Sequence, residues 1–186
     1  SNPFFGFTSE GYHGAIAYAP TRGLQSGVSF ASVDDGNRYG LQSDTASVHV
    51  GLAGSAFGVG ATLGLMEEEG NLLGGASGGA LSTSRAQTFF AVLRGHLDFA
   101  KHWSLIGKYT HGLTFADDYE KSLLSNFSQI ESNSWGMGLA GRHVFSRGDQ
   151  LGFGVSQPLR TIDGDVEVST PYWDPMRARV GFNSTR

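Results

Sequence analysis

Phe89-Phe-Ala-Val-Leu-Arg-Gly-His-Leu-Asp-Phe99 sorts by parity. Phe89, Ala91, Leu93, Leu97 and Phe99 hold odd positions with Gly95 among them, whereas Arg94, His96 and Asp98 hold even ones. Successive side chains of a strand point to opposite faces, so this is a strand with one oily and one charged face. Segment 102–115 repeats the pattern, with Trp103, Leu105, Tyr109, Leu113 and Phe115 against Ser104, Lys108, Thr110 and Thr114. Strands in soluble sheets usually run ~5–6 residues. These run 11 and 14, long enough for the ~9–11 tilted residues that cross a bilayer. The pattern predicts an all-β fold, an antiparallel up-and-down meander forming part or all of an outer-membrane β-barrel.

Working outward, period and turn residues give nine strands, at 12–19, 24–33, 45–53, 57–66, 86–99, 102–115, 133–145, 149–158 and 177–183. Their connections alternate in length. Pro20–Gly23, Gly54–Ala56, Ala100–Lys101 and Ser146–Gly148 are short, whereas Asp34–Asp44, Glu67–Arg85, Ala116–Ser132 and Leu159–Met176 are long. A membrane barrel alternates in this way, with tight turns at one rim and long loops at the other. Tyr18, Phe57, Phe99, Trp103 and Phe145 then fall beside short turns, and Phe115 and Trp135 near long loops, as interfacial girdles require. Parity assigns Leu93, Leu97, Leu105, Tyr109, Leu139, Phe153 and Val155 outward, and Arg94, His96, Lys108 and Arg142 toward the lumen. The lipid-facing and girdle set is therefore Phe99, Trp103, Leu105, Trp135, Leu139, Phe145 and Phe153. Nine strands is an odd number, and closed bacterial barrels have an even one. The expectation is that residues 1–186 form a single barrel domain that is a piece of a longer barrel.

Composition narrows the classes. The 186 residues suffice for one domain with a sizeable core. Mean hydropathy is -0.17, and no window approaches the ~18 apolar residues of a spanning helix, which leaves barrels untouched because their strands need only alternate. The chain has no cysteine, which removes disulfides, Cys-based zinc sites and thiol nucleophiles. With 13 basic and 17 acidic residues the net charge is -4, and no Lys/Arg cluster exists to neutralise a row of phosphates, so nucleic acid is not an expected partner. No basic and apolar leader opens the chain. Glycine is abundant, 28 residues or about twice the usual ~7%. Gly58, Gly60, Gly64, Gly136 and Gly138 lie inside strands on one face, which implies close approach or sharp curvature there.

Ser134-Trp-Gly-Met-Gly-Leu-Ala-Gly-Arg-His-Val-Phe-Ser-Arg-Gly-Asp-Gln-Leu-Gly-Phe-Gly-Val-Ser-Gln-Pro-Leu-Arg160 resembles the C-terminal β-domain of autotransporters fused to subtilisin-like serine proteases in alphaproteobacteria. Gly64-Leu-Met-Glu-Glu-Glu-Gly70, Leu73-Gly74, Ser77–Ala80, Thr88–Phe90, Trp103–Leu105 and Gly107–Tyr109 are similar to the same family, and the resemblance covers roughly 57–170. It implies a barrel, commonly of about twelve strands, that anchors a passenger and helps it cross the outer membrane. The first strand and the last two of that plan find no counterpart here. The implied partners are outer-membrane lipid and the linker and passenger of the same polypeptide, with self-association through unpaired edge strands. No cofactor is implied, and the module is not itself an enzyme. The competing expectation is a soluble all-β structural or interaction domain, cell-surface or extracellular, associated with a protease.

Other chemistry is weaker. Gly75-Ala-Ser-Gly-Gly79 matches G-x-S-x-G, but that motif needs a preceding strand and a following helix, and here it falls in a long connection. His13, His49, His96, His102, His111 and His143 lack metal-ligand spacing and read as lumen or rim side chains. Glu67-Glu68-Glu69 and Asp117-Asp118 read as solvated acidic loops, Asp163-Gly164-Asp165 as a turn, and Arg147-Gly148-Asp149 as a coincidental match to an adhesion tripeptide.

Overall fold

The computed structural model describes residues 11–34, 42–73, 75–76, 81, 83–118, 122–177 and 179–185, and no α-helix occurs among them. In chain order the strands are β1 (Tyr12–Thr21), β2 (Leu24–Asp34), β3 (Gln42–Ala53), β4 (Phe57–Glu69), β5 (Asn71–Leu72), β6 (Gly75–Ala76) and β7 (Arg85–Ala100). There follow β8 (Trp103–Ala116), β9 (Leu124–Ser125), β10 (Ile130–Arg142), β11 (Gln150–Asp163), β12 (Glu167–Asp174) and β13 (Arg179–Thr185). Eight of them form an antiparallel up-and-down meander in the order β1-β2-β3-β4-β7-β8-β10-β11. Among the described residues the sheet is open, with β1 and β11 at its edges. A second sheet, β13-β12-β9, and the small β5-β6 pair complete the strands.

Alternation sets the faces. Phe90 is 3% exposed and Leu93, three residues on, 56%. Met66, Phe90 and Val92 form a buried cluster, and Leu73 and Leu159 pack on it. Leu159 belongs to β11, three places from β7 in the sheet, so the sheet curls around this face and makes it concave. Most other buried side chains there are hydroxylic: Ser43, Thr45, Ser47, Thr88, Thr110, Thr114, Ser132 and Ser134. Thr88 and Thr114 are bonded to each other at 2.8 Å, as are Ser29 and Ser47. The convex face carries Val50, Leu63, Leu93, Tyr109, Met137 and Val155, all exposed. A water-soluble core sorts the opposite way.

Several expected boundaries change. Glu167–Asp174 is a strand and not part of a long loop, which makes the number of strands of seven residues or more even among the described residues. Pro171 hid it, because proline within a run reads as a strand break. The strand expected to end at Phe145 stops at Arg142, and His143–Asp149 form the turn. Its partner runs to Asp163, past Pro158, because the β10–β11 register shifts between Asn133 and Trp135 and leaves Pro158 outside the regular ladder. Since β10 begins at Ile130, Trp135 sits in the middle of the sheet beside Tyr109, not near a long-loop rim.

Candidate functional site: the concave face

Cross-strand register turns parity into a surface. Residues Gly51, Gly60, Arg94, Lys108, Gly136 and Ser156 form one row across six strands, each the Cα partner of the next. The row below runs Gly58, His96, Ile106, Gly138 and Gly154. Three of the four expected lumen residues, Arg94, His96 and Lys108, thus stand together. They border a cavity of about 500 Å³ that also touches Gln25 and Ile106. Lys108 borders a second cavity, about 650 Å³, with Leu73, Ser156 and Leu159. Arg142 lies further toward the short turns, where it shares a cavity of about 340 Å³ with His96, Asp98 and Ser104. Asp98 accepts a hydrogen bond from the Ser104 hydroxyl.

The outward candidates take the other face. Leu105, Leu139 and Phe153 are successive partners across β8, β10 and β11. Leu105 and Phe153 are exposed, and Leu139 is half-buried. Trp103 is half-buried over Gly141, where a Cβ would lie 3.0 Å from its ring. Trp135 donates its indole N–H to Gln157 at 3.1 Å, and Gln157 donates to Asn133 at 2.7 Å, so polar groups among the apolar side chains are satisfied. Phe99, next to the last residue of β7, is exposed, and Phe145 lies in the turn with 84% of its surface exposed.

The end of this face nearest the long connections is closed by a contact that sequence reading missed. Glu68 is 1% exposed and accepts the Leu73 N–H at 2.9 Å. Leu73, at φ 51°, brings the β4–β7 connection onto the Met66 cluster. The three glutamates are therefore the end of a strand and not a solvated loop. Glu68 faces in, while Glu67 accepts from Gln87 at 2.6 Å and Glu69 meets Arg85 at 3.5 Å. The cue was the alternation Gly64, Met66, Glu68, which continues the concave face of β4.

At the opposite rim the His143–Asp149 turn is built around one carboxylate. Asp149 accepts the N–H groups of Val144, Phe145 and Ser146 at 2.7, 2.8 and 2.9 Å. Desolvation acts to raise its pKa, but the amides of Phe145, Ser146 and Val144 and the neighbouring His143 outweigh it and hold the group below its ordinary value. Gly148, at φ 102°, donates to His143 Nδ1 at 2.7 Å. The Asp of Arg147-Gly148-Asp149 thus binds its own turn. In the Gly75–Gly79 motif, Gly75 and Ala76 form β6, and Ser77 onward lies outside the described residues. Among the described residues no group of three His, Asp or Glu side chains is arranged to hold a metal ion.

Compared with protein families, with curated proteins and with solved structures, the chain finds no match.

Proposed function

We propose that this chain is the β-barrel module of an autotransporter, a non-catalytic anchor and translocator in the outer membrane of a Gram-negative bacterium. The observation that carries the reading is inverted burial. Across strands long enough to span a bilayer, threonine, serine and a glutamate are buried while Val50, Leu63, Phe89, Leu93, Tyr109 and Val155 are exposed, with Val33, Phe90 and Val92 the buried exceptions. Exposed apolar area on this scale marks contact with lipid or a partner. Arg94 and Lys108 are cross-strand partners on the concave face, which adds support by setting two cations in one row. An extended linker passing along the row presents carboxylates or carbonyls to Arg94, Lys108 and Arg142.

Detergent partitioning and heat-modifiable migration test the membrane reading, and both are expected. Display of a fused passenger tests the translocator reading. Gly138→Trp and Gly154→Trp fill the open concave face and are expected to reduce display while the folded, detergent-solubilised barrel persists. Full display from both would remove the translocator role. The soluble structural or interaction domain draws support from the open edges β1 and β11, which favour self-association. A chain that stays monodisperse in buffer without detergent would favour it.

A further inference from the structure

β11 has fourteen residues and, among the described residues, pairs with β10 alone. The backbone groups on its far side form an edge that recruits other chains in water and is not tolerated in lipid. The next strand, β12, follows after Gly164, Asp165 and Val166. Gly-Asp flanked by two strands is a two-residue hairpin signal, and Gly164 already holds φ 138°. Yet β12 turns elsewhere. Glu167 and Val168 pair with Ser125 and Leu124 of β9, Asp165 N–H donates to the Ser128 hydroxyl at 2.7 Å, and Ser128 N–H donates to Asp165 O at 2.9 Å.

A two-residue loop at Gly164–Asp165 would set Thr161 opposite Val168 and Arg160 opposite Ser169. This register preserves the faces. Thr161 partners Ser132 of the concave face, and Val168 stands on the side of β12 away from Pro171 and Trp173. Trp173 with Val180 and Pro171 with Phe182 then continue the convex apolar face; Trp173, Val180 and Phe182 are all exposed where the hairpin now lies.

We propose that the β12–β13 hairpin has a second seat, the free edge of β11, reached by closing the Gly164–Asp165 turn, and that it exchanges between that seat and β9. Seated on β11 it extends the meander to ten strands, and seated on β9 it ties down the β8–β10 connection. The inference does not rest on the membrane reading, because the free edge is unfavourable in lipid and adhesive in water alike.

The absence of native cysteine makes cross-linking clean. Thr161→Cys with Val168→Cys, and independently Arg160→Cys with Ser169→Cys, report the proposed seat; Leu124→Cys with Val168→Cys reports the observed one. The full chain is oxidised in micelles and in buffer, folding is checked by circular dichroism, and the bridges are mapped by mass spectrometry. The expected result is an intrachain bridge from at least one of the first two pairs, together with the third. Absence of both proposed bridges from folded protein overturns the inference, whatever the yield of the third. Interchain bridges in their place also overturn it, since a second copy would then hold the edge.

Discussion

Glycines on the two halves of one concave face meet opposite surroundings. In β2 and β4 each is roofed by a side chain from the neighbouring strand. A Cβ at Gly27 would lie 2.8 Å from His49 Nε2, at Gly58 2.8 Å from His96 Nδ1, and at Gly60 3.0 Å from Arg94 Nε, while Phe90 covers Gly64. In β10 and β11 the space is free. Gly138 and Gly154 would meet only a carbonyl oxygen at 3.5 and 3.6 Å, and Gly152 nothing within 4 Å. Glycine therefore does two different things on one surface. Toward β4 it lets large side chains of β3 and β7 lie flat against the sheet, and toward β11 it leaves cross-section empty. The close approach that glycine on one strand face implies is found at Gly58, Gly60 and Gly64, whereas Gly138 and Gly154 leave open space.

Substitution series sharpen that contrast. The largest effect is expected on the other side of an open glycine: Leu139→Arg, next to Gly138 but outward, should cost insertion about 2–4 kcal/mol near the bilayer midplane. Measured by folding into vesicles under denaturant, a cost near zero would mean that the convex face meets no lipid. Next comes Gly64→Ala. Its Cβ would lie 2.8 Å from the Ala46 carbonyl oxygen as well as under Phe90, an overpacked position worth about 1–3 kcal/mol in urea unfolding. Because part of that clash is with the ring, Phe90→Leu in the same chain should couple favourably with it in a double-mutant cycle.

Gly58→Ala is expected to cost less, about 0.5–1.5 kcal/mol, since its neighbour is the mobile end of His96, which can rotate off its preferred rotamer. Gly154→Ala reverses the sign. With no atom in the way, removing strand glycine should raise stability by about 0.5–1 kcal/mol. If Gly154→Ala destabilises as much as Gly64→Ala, the two classes of glycine are one and the contrast collapses.

The smallest expected effect is local and pH-dependent. The Asp149 pKa is held below its ordinary 3.8 in the folded turn. Its contribution is therefore complete above the unfolded value and is lost as pH falls through the lower folded one. Protection of the Val144, Phe145 and Ser146 amides relative to their intrinsic exchange should fall on acidification below about pH 4, the ordinary range of an aspartate, while amides of β7 and β8 stay protected. Asp149→Asn should remove the pH dependence.

Strand identity and facing were legible because alternation is a local property: Arg94 and His96 share a face wherever 89–99 is placed, provided only that it is a strand. The same locality explains the misses. Pro171 concealed β12 since a proline's missing N–H matters only once the ladder around it is known, and three adjacent glutamates conceal a buried Glu68 until Leu73 folds back to meet it. Sequence alone determined that these strands have an apolar and a polar side. The tertiary structure decided which glycines are covered, which carboxylate is buried and where the last hairpin sits, because each depends on the register of neighbouring strands and on chain segments brought together only by folding.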